Sequence, residues 1–454
     1  MSTMNNNNRI GVENDSETVT SNAMQPTTLC EYLKRRKVMW ITFTIIVLVI
    51  IITIAIVIVK RKQTNSETTS TIEGMEATTE LTKTTTTSTK RSRTTSKTTS
   101  KTTPTTTVPL QCNTTYMAQT TYSTDSGPFG MTVVDVNNDS KPDIIVVHVS
   151  TDTINVFLNI GNGTFTAKTS YSTGSMLNSV AVVDVNNDSK LDIIVTNIDR
   201  NNVIVLFNTG NNDFIGGTTY YTGDSPYDVE VIDVNDDSKP DIIVPNSRSN
   251  SVSVLLNIGD GKFSEQTTYS TGSGSYCVAV ADVNSDSKPD IIVPNAGSNY
   301  VSVLFNIGNG KFSEQTTYIT GSGPYGAAVT DVNSDSKPDI IITNSGDHNV
   351  GVLLNTGNGT FTTQTTYPTG IQPQNVAVTD VNNDGKPDII VANYWSHNVG
   401  VLLNTGNGKF SAQATYSTST HPRALVVVDV NNDNKPDIIV TNQESNNVGV
   451  LLAC

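Results

Sequence analysis

The sequence has few cysteines and few histidines, and each shortage excludes a class of protein. Four cysteines in 454 residues are too few for a fold built on disulfides. The histidines, His148, His348, His397 and His421, have no cysteine, serine or second histidine at a spacing typical of a nucleophile pair or a metal set. We expect these histidines in surface loops, and we expect that the chain is not an enzyme.

Basic residues are scarce in the C-terminal part of the chain. Residues 111–454 contain 14 Lys or Arg against 34 Asp or Glu, whereas residues 1–110 contain 14 against 8. The C-terminal part therefore carries a net charge near −20. A surface this acidic repels phosphate backbones, and no basic stripe with aromatic residues interrupts it. The composition indicates a protein with no nucleic-acid partner.

One long hydrophobic run occurs, and it organises the N-terminal quarter. Residues 38–59 form an uncharged stretch of 22 residues, long enough for a helix that crosses a bilayer. It is too long and too far from the N-terminus for a cleaved signal peptide. We therefore predict a disordered cytoplasmic tail (1–37), a transmembrane signal anchor (38–59) and a Thr/Ser-rich stalk (60–110). The protein would then be a single-pass type II protein of the plasma membrane, with residues 111–454 outside the cell.

A repeat fills the rest of the chain and predicts its fold. The string D-V-N-x-D-x-K-x-D begins at Asp135 and returns every 49 residues, seven times in all, up to Asp429. Around the sixth copy we predict strands at 376–380, 388–393, 398–404 and 410–416. The second of these is continuously apolar, which indicates a strand covered on both faces. We therefore predict an all-β, seven-bladed β-propeller of four-stranded blades over residues 111–454.

The repeat arithmetic also predicts how the ring closes. Cys112 to Cys454 spans 343 residues, or seven repeats, so the two cysteines take adjacent positions of one turn. The segment after Cys112 should supply the fourth strand of the last blade, with Tyr116 in the place of Phe410. We predict a Cys112–Cys454 disulfide at this junction.

The repeated acidic loop offers side-chain oxygens at its first, third, fifth and ninth positions. Oxygen ligands at alternate positions of a tight loop suit Ca²⁺, and the absence of His and Cys argues against zinc. The alternative is that Asp and Asn simply favour tight turns, but a turn does not require three acids at fixed offsets seven times over. The predicted ligands are Asp135, Asn137, Asp139, Asp143, Asp184, Asn186, Asp188, Asp192, Asp233, Asn235, Asp237, Asp241, Asp282, Asn284, Asp286, Asp290, Asp331, Asn333, Asp335, Asp339, Asp380, Asn382, Asp384, Asp388, Asp429, Asn431, Asp433 and Asp437.

The sixth loop position departs from the usual calcium loop. Glycine is preferred there for a sharp turn, and only Gly385 satisfies the preference. Serine or asparagine stands at this position in the other six copies. Calcium affinity is therefore expected to differ between blades.

The acidic loop, the following Ile-Ile-Val run and the N-x-G-N-G-x-F turn together resemble the FG-GAP/VCBS repeat family over residues 112–454. The resemblance implies a Ca²⁺-stabilised propeller used for adhesion or ligand capture, as in the integrin α-subunit, some lectins and modules attached to extracellular enzymes. The position of the predicted membrane span differs from that of an integrin α chain, so no integrin partner subunit is inferred.

The face of the ring away from the loops varies between copies, and we predict the ligand site there. Exposed aromatic and arginine side chains anchor partners and stack on sugars. The alternative is that these residues drift or pack between blades. The predicted ligand-binding residues are Tyr227, Tyr276, Tyr325, Tyr394, Trp395 and Arg423.

The sequence thus predicts a cell-surface calcium-binding propeller that binds an extracellular protein or glycan ligand and acts in adhesion or ligand capture. An accessory propeller of an extracellular lyase or phospholipase, or a structural surface coat, is the alternative. Asn113, Asn162 and Asn358 begin N-x-[ST] sequons and are predicted glycan acceptors.

Overall fold

The computed structural model describes residues 115–210 and 213–454, which form seven four-stranded antiparallel sheets. We number these blades 1 to 7 by the order of their acidic loops and letter their strands a to d from the inside outwards. The predicted tail, membrane span and stalk, together with Cys112 and Asn113, lie outside the described residues. Within the described ranges, no helix has the length and apolar character needed to cross a bilayer.

The strands recur at the same repeat positions in every blade. Strands a are Pro128–Val134, Leu177–Val183, Glu230–Ile232, Ala279–Ala281, Pro324–Thr330, Pro373–Thr379 and Pro422–Val428. Strands b are Asp143–His148, Asp192–Asn197, Asp241–Asn246, Asp290–Asn295, Asp339–Asn344, Asp388–Asn393 and Asp437–Asn442. Strands c are Thr153–Phe157, Asn202–Asn208, Ser251–Leu255, Tyr300–Leu304, Asn349–Leu353, Asn398–Leu402 and Asn447–Leu451. Strands d are Thr169–Ser172, Phe214–Tyr221, Thr267–Ser270, Thr316–Ile319, Thr365–Pro368, Ala414–Ser417 and, for blade 7, Thr120–Ser123.

The apolar second strand is buried as its composition predicts. All six residues of every strand b are buried, from the first aspartate to the last residue. The seven hydrophobic clusters each draw residues from two adjacent blades; Ile194 and Val205 of blade 2, for example, pack with Ile242 and Leu255 of blade 3. The core is therefore a ring of inter-blade layers, and no blade buries its apolar faces alone.

The fourth strand begins later than the sequence predicts. In blade 6 it runs from Ala414, and Phe410 instead belongs to a short hairpin formed by Asn404–Gly406 and Lys409–Phe410. The turn glycine Gly406 has φ +102°, and the register shifts between Asn404 and Gly406. This bulge ends the first pairing before strand d forms. Blades 1, 3, 4 and 5 have the same hairpin, at Asn159–Gly161 with Thr164–Phe165, Asn257–Gly259 with Lys262–Phe263, Asn306–Gly308 with Lys311–Phe312, and Asn355–Gly357 with Thr360–Phe361.

The predicted ring closure is confirmed. Thr120–Ser123 pairs antiparallel with Asn447–Leu451, so the first described strand completes the last blade. Tyr116 bridges Ala453, and the Cys454 backbone N–H donates to the Thr115 carbonyl oxygen at 3.0 Å. The Cys112–Cys454 disulfide stays a prediction, because Cys112 lies outside the described residues.

A tyrosine of each strand d packs edge to face on an aromatic ring of the next blade, which in blades 1, 3, 4, 5 and 6 belongs to the short hairpin. Tyr367 and Phe410 meet edge to face with ring centroids 5.4 Å apart, and the Tyr367 hydroxyl donates to the Gly408 carbonyl oxygen at 3.2 Å. At the junction of blades 6 and 7, Tyr416 packs on Tyr116 in the same way, with centroids 5.1 Å apart. The predicted replacement of Phe410 by Tyr116 is therefore confirmed.

Candidate ligand pocket and ion-binding loops

The antiparallel pairing of strands a and b separates two faces of the ring. In blade 1, Val134 pairs with Asp143 at the acidic loop, whereas Pro128 pairs with His148 at the other end. The acidic loops therefore share one face, and the residues that begin each strand a share the opposite face. We call these the loop face and the pocket face.

Each acidic loop is folded by its own carboxylates. In blade 1 the Asp135 carboxylate accepts hydrogen bonds from the backbone N–H groups of Asp139 (3.0 Å) and Ser140 (2.6 Å), and Asn137 Oδ1 accepts from Asp139 N–H at 2.9 Å. The Lys141 ammonium lies 2.9 Å from Asp139 Oδ2. The same lysine–aspartate pair occurs in the loops of blades 2 to 6. Such exposed pairs contribute little to stability because solvent screens them, so a more strongly bound cation can displace the lysine.

The sixth loop position has the conformation that calcium loops require, although glycine is usually absent. The six non-glycine residues there have φ between +64° and +66°, and Gly385 has φ +81°. Serine and asparagine in this left-handed region carry a strain that glycine avoids. The six non-glycine residues are Ser140, Ser189, Ser238, Ser287, Ser336 and Asn434.

The ninth-position aspartate is the buried acid of each loop. Asp143 is fully buried, and its two oxygens accept from the backbone N–H groups of Val136 (3.1 Å) and Asn159 (2.7 Å). Burial, and secondly the nearby Asp139 and Asp135, raise the pKa of Asp143 to about 6. The same burial raises the pKa to about 6 for Asp241, Asp290, Asp339 and Asp437.

The loops fit calcium in donor chemistry and in backbone conformation. Each provides carboxylate and amide oxygens with no sulfur or imidazole, and burial of its ninth-position acid disfavours the ionised carboxylate when no cation is bound. Among residues 115–210 and 213–454, however, no three His, Cys, Asp or Glu side chains converge in a geometry that could hold a metal ion. Calcium binding by the 28 predicted ligands therefore stays a prediction.

On the pocket face, one arginine crosses the centre of the ring. The Arg423 Nη2 group donates to the hydroxyls of Tyr227 and Tyr325, at 2.6 Å each, and these hydroxyls lie 2.6 Å from one another. The guanidinium carbon lies 3.5 Å from the centroid of the Phe129 ring. Tyr276 stacks on Tyr325 with centroids 5.0 Å apart. Residues from blades 1, 3, 4, 5 and 7 thus meet around a pocket of about 130 Å³.

The pocket has two chemically different walls. Tyr227, Tyr276 and Tyr325 form an aromatic wall on blades 3 to 5. Asn178, Gln374 and Arg423 complete the lining with polar side chains, and their atoms Asn178 Oδ1, Gln374 Oε1 and Arg423 Nε are buried without a hydrogen-bond partner within the described residues. Asn178 Nδ2 donates to the Tyr227 carbonyl oxygen at 2.5 Å, and this contact identifies Oδ1 as the amide atom without a hydrogen-bond partner among the described residues.

Tyr394 and Trp395 extend the aromatic surface at the rim. The Tyr394 ring stacks on His421 with centroids 4.4 Å apart, and Trp395 packs against the same histidine at 4.5 Å. Trp395 is 52% exposed, and the Arg423 guanidinium lies 5.9 Å from the Tyr394 ring. All six predicted ligand-binding residues are therefore close together on the pocket face. Only Trp395 is strongly exposed, because the others pack on one another.

Three reactive side chains lie next to the aromatic wall. Both oxygens of Asp228 are used, accepting from the Ser179 hydroxyl at 2.7 Å and the Val278 N–H at 3.1 Å. Burial raises the pKa of the Cys277 thiol well above its usual value, so that the nucleophilic thiolate is disfavoured. Desolvation by the surrounding protein, and secondly the charge of Asp228, raise the pKa of Glu230 to about 8, although part of this side chain is exposed. Sequence reasoning missed these groups, because only their proximity in the fold relates them.

Two other expectations concern surface residues. His148 is fully buried at the end of its strand, where Nδ1 contacts the Thr153 carbonyl oxygen at 2.9 Å, so the expected surface-loop position is wrong for this histidine. It occupies the repeat position that is asparagine in the other blades. Asn162 and Asn358 are exposed in their turns, and glycosylation there stays a prediction.

The comparison with family models identifies the repeat. The model described as FG-GAP-like repeat matches residues 135–195, 184–244, 233–293, 282–342, 331–391 and 380–440, which together span about two thirds of the chain. No curated protein matches the sequence significantly.

Solved structures share the fold at low sequence identity. Virginiamycin B lyase from Staphylococcus aureus, crystallised with quinupristin, is 15% identical with a TM-score of 0.52, and the match covers 74% of this chain and 99% of the lyase. BBS1N, crystallised in complex with ARL6DN, is 10% identical with a TM-score of 0.55, and the match covers 75% and 97%. At such identities the similarity shows the propeller fold alone.

Proposed function

Because the chain belongs to the FG-GAP-like repeat family, we propose that its propeller is a calcium-stabilised binding module displayed on a cell surface, with the central pocket as its ligand site. The supporting observation is the convergence of six predicted residues from blades 3 to 7 on one pocket and its rim. The acidic loops face the other way, so binding and ion-dependent stabilisation occupy separate faces.

The chemistry of the pocket favours a neutral, hydroxyl-rich ligand. The tyrosine hydroxyls and the Arg423 guanidinium that line the pocket can hydrogen bond to sugar hydroxyls, while the apolar face of a sugar ring stacks on tyrosine. Arg423 disfavours a cationic ligand, and the net charge near −20 of residues 111–454 disfavours an anionic one. A pocket of about 130 Å³ admits only part of a saccharide, so the rim around Trp395 would contact the remainder.

The pocket side chains suit recognition better than catalysis. The Asp228 carboxylate is occupied by hydrogen bonds that join blades 2, 3 and 4, and the raised pKa of the half-buried Cys277 thiol disfavours its ionisation. The role of calcium in this proposal is structural: each ion would neutralise the carboxylates of one loop. The predicted membrane span at 38–59 and the stalk at 60–110 would hold the propeller outside the cell, in contact with a glycan or protein ligand.

A glycan array probed with the purified full-length chain in detergent tests the ligand site. We expect binding to neutral glycans, and we expect Trp395→Ala to weaken it because this change removes an exposed stacking surface. Tyr221→Ala is the matched control, since Tyr221 is 73% exposed on the outer strand of blade 2. The melting temperature in calcium should be the same for both variants.

Unchanged glycan binding in Trp395→Ala, together with loss of binding after substitutions in the loop-face turns, would show that the ligand binds on the loop face and that the proposed site is wrong. Binding to anionic glycans alone on the array would contradict the proposal that the ligand is neutral. Binding of a protein ligand, with no signal on the glycan array, would support the pocket as the binding site but contradict a saccharide as its ligand.

A further inference from the structure

A chain of hydrogen bonds connects the acidic loops of neighbouring blades. Asn257 of blade 3 uses its backbone N–H to bind Asp241 Oδ1, the ninth position of its own loop, at 2.7 Å. Its Nδ2 donates to the Val185 carbonyl oxygen, the second position of the blade 2 loop, at 2.9 Å. The Val185 N–H donates in turn to Asp192 Oδ2, the ninth position of that loop, at 3.2 Å. One buried asparagine thus joins the buried acids of two loops.

The same link is present at six of the seven blade junctions. The donor–acceptor distances from asparagine Nδ2 to the valine carbonyl oxygen of the preceding blade lie between 2.8 and 3.4 Å. The asparagines are all nearly buried, with 2–4% exposure. They are Asn159, Asn208, Asn257, Asn306, Asn355 and Asn404, and we call them the linking asparagines.

The link is missing at the junction of blades 7 and 6. The equivalent residue of blade 7 is Ala453, whose backbone N–H binds Asp437 Oδ1 at 2.7 Å as in the other blades. Alanine has no amide that could donate to the Val381 carbonyl oxygen of blade 6. The loops are therefore connected in the linear order 7, 1, 2, 3, 4, 5, 6, with a single break.

We propose that the linking asparagines are positioning residues that couple the seven ion sites, so that occupation of one loop favours occupation of the next, and that Ala453 interrupts this coupling once. The proposal rests on calcium binding by the loops, as stated above. An ion that orders the ninth-position aspartate also orders the two N–H groups on that carboxylate. One of these belongs to the linking asparagine, whose amide holds the neighbouring loop, and by linkage the coupling acts in both directions.

The order of the loops allows a test with chemically matched variants. Asn257→Ala cuts the series near its middle, into groups of three and four loops, whereas Asn404→Ala removes only loop 6 from the end. Both asparagines are 2–3% exposed and lose equivalent bonds, to valine carbonyls at 2.9 and 2.8 Å and to proline carbonyls at 3.2 and 3.0 Å. A purely structural role predicts equal effects of these two variants. Coupling predicts that the middle cut reduces cooperativity more.

The measurement is a Ca²⁺ titration of the full-length chain by calorimetry, with the Hill slope as the readout and the calcium-free melting temperature beside it. We expect a slope above about 1 for the native chain, a large decrease in Asn257→Ala, a small decrease in Asn404→Ala and an increase in Ala453→Asn, which supplies the missing amide. The two alanine variants should lower the calcium-free melting temperature alike.

Calcium binding with a slope of about 1 in the native chain would overturn the coupling while leaving calcium binding intact. Equal slopes in Asn257→Ala and Asn404→Ala would also overturn it. No calcium heat at all would overturn the proposed ion sites, and the coupling with them. If Asn257→Ala does not fold, the comparison of Ala453→Asn with the native chain decides, because an unchanged slope there contradicts the proposal.

Discussion

Removing calcium should reverse the way in which the stability of the propeller depends on pH. In the calcium-free chain, burial raises the pKa of five ninth-position aspartates, Asp143, Asp241, Asp290, Asp339 and Asp437, to about 6, from an ordinary value of 3.8. Between pH 4 and 6 the folded chain therefore holds protons that the unfolded chain has lost. The free energy of unfolding must then fall as pH rises through this window.

The size of this loss of unfolding free energy follows from the shift in the aspartate pKa. A change of about two pKa units corresponds to about 3 kcal/mol per carboxylate. Solvent at the loop mouth screens part of this, so we expect a total of several kcal/mol over the five loops. The lowered pKa of Asp139, held by the Lys141 hydrogen bond, acts below pH 3.8, outside this window.

Calcium should reverse the trend, because it binds the ionised carboxylates. With dissociation constants on the order of 10⁻³ M, as in extracellular loops of this kind, about 10 mM Ca²⁺ adds about 1.4 kcal/mol per occupied loop. Seven loops would add about 10 kcal/mol near pH 7. At about pH 4.5 protons compete for the same oxygens, so the gain should shrink.

Differential scanning calorimetry of the full-length chain at about pH 4.5 and pH 7, in calcium-free buffer and in about 10 mM Ca²⁺, measures both trends. Matched NaCl and Mg²⁺ samples control for ionic strength and for ion selectivity. Without calcium, the melting temperature should be lower at pH 7 than at pH 4.5, and with calcium it should be higher. Equal melting temperatures at pH 7 with and without calcium would refute the ion sites. A calcium-free melting temperature that rises between the two pH values would refute the raised pKa of the buried acids.

Three further outcomes are expected. Peptide mapping without reduction should recover Cys112 joined to Cys454, whereas two free thiols at these positions would contradict the predicted bond. Protease added to intact cells should remove the propeller, and a protected propeller would reverse the predicted orientation. Glu230→Gln should raise the melting temperature above about pH 8, because the raised pKa of Glu230 makes its ionisation costly in the folded chain; a lower melting temperature would show that the carboxylate has a stabilising partner.

The fold could be read from the sequence because a strict 49-residue spacing leaves one architecture that fits. The way in which the ring closes could also be predicted, because the 49-residue spacing assigns Tyr116 to the repeat position of Phe410. The start of strand d could not be predicted, because the bulge at Asn404–Gly406 depends on the left-handed backbone of Gly406. A pattern of apolar residues does not show where a bulge ends the pairing of a hairpin and where the next strand begins.

The candidate pocket could be predicted only in part. Repeat position places Tyr227, Tyr325 and Arg423 at one level of the ring, and this much is visible in the sequence. The crossing of Arg423 to hydroxyls on blades 3 and 5 depends on side-chain conformation and ring diameter, which spacing does not encode. Phe129 and Gln374 could have been included, because they occupy the same repeat position as the tyrosines.

Blade 7 is completed by the first described strand of the chain, and this arrangement determines how the propeller would respond to a pulling force. Thr120–Ser123 runs from the loop face to the pocket face, and the chain then continues directly to Phe129 beside Arg423. A pull between the N-terminal segment and a bound ligand would act along this strand, loading its bonds to Asn447–Leu451 together in shear instead of opening them one by one. In a single-molecule pulling experiment, the first rupture should therefore be a single high-force event at this strand, with the other six blades still folded.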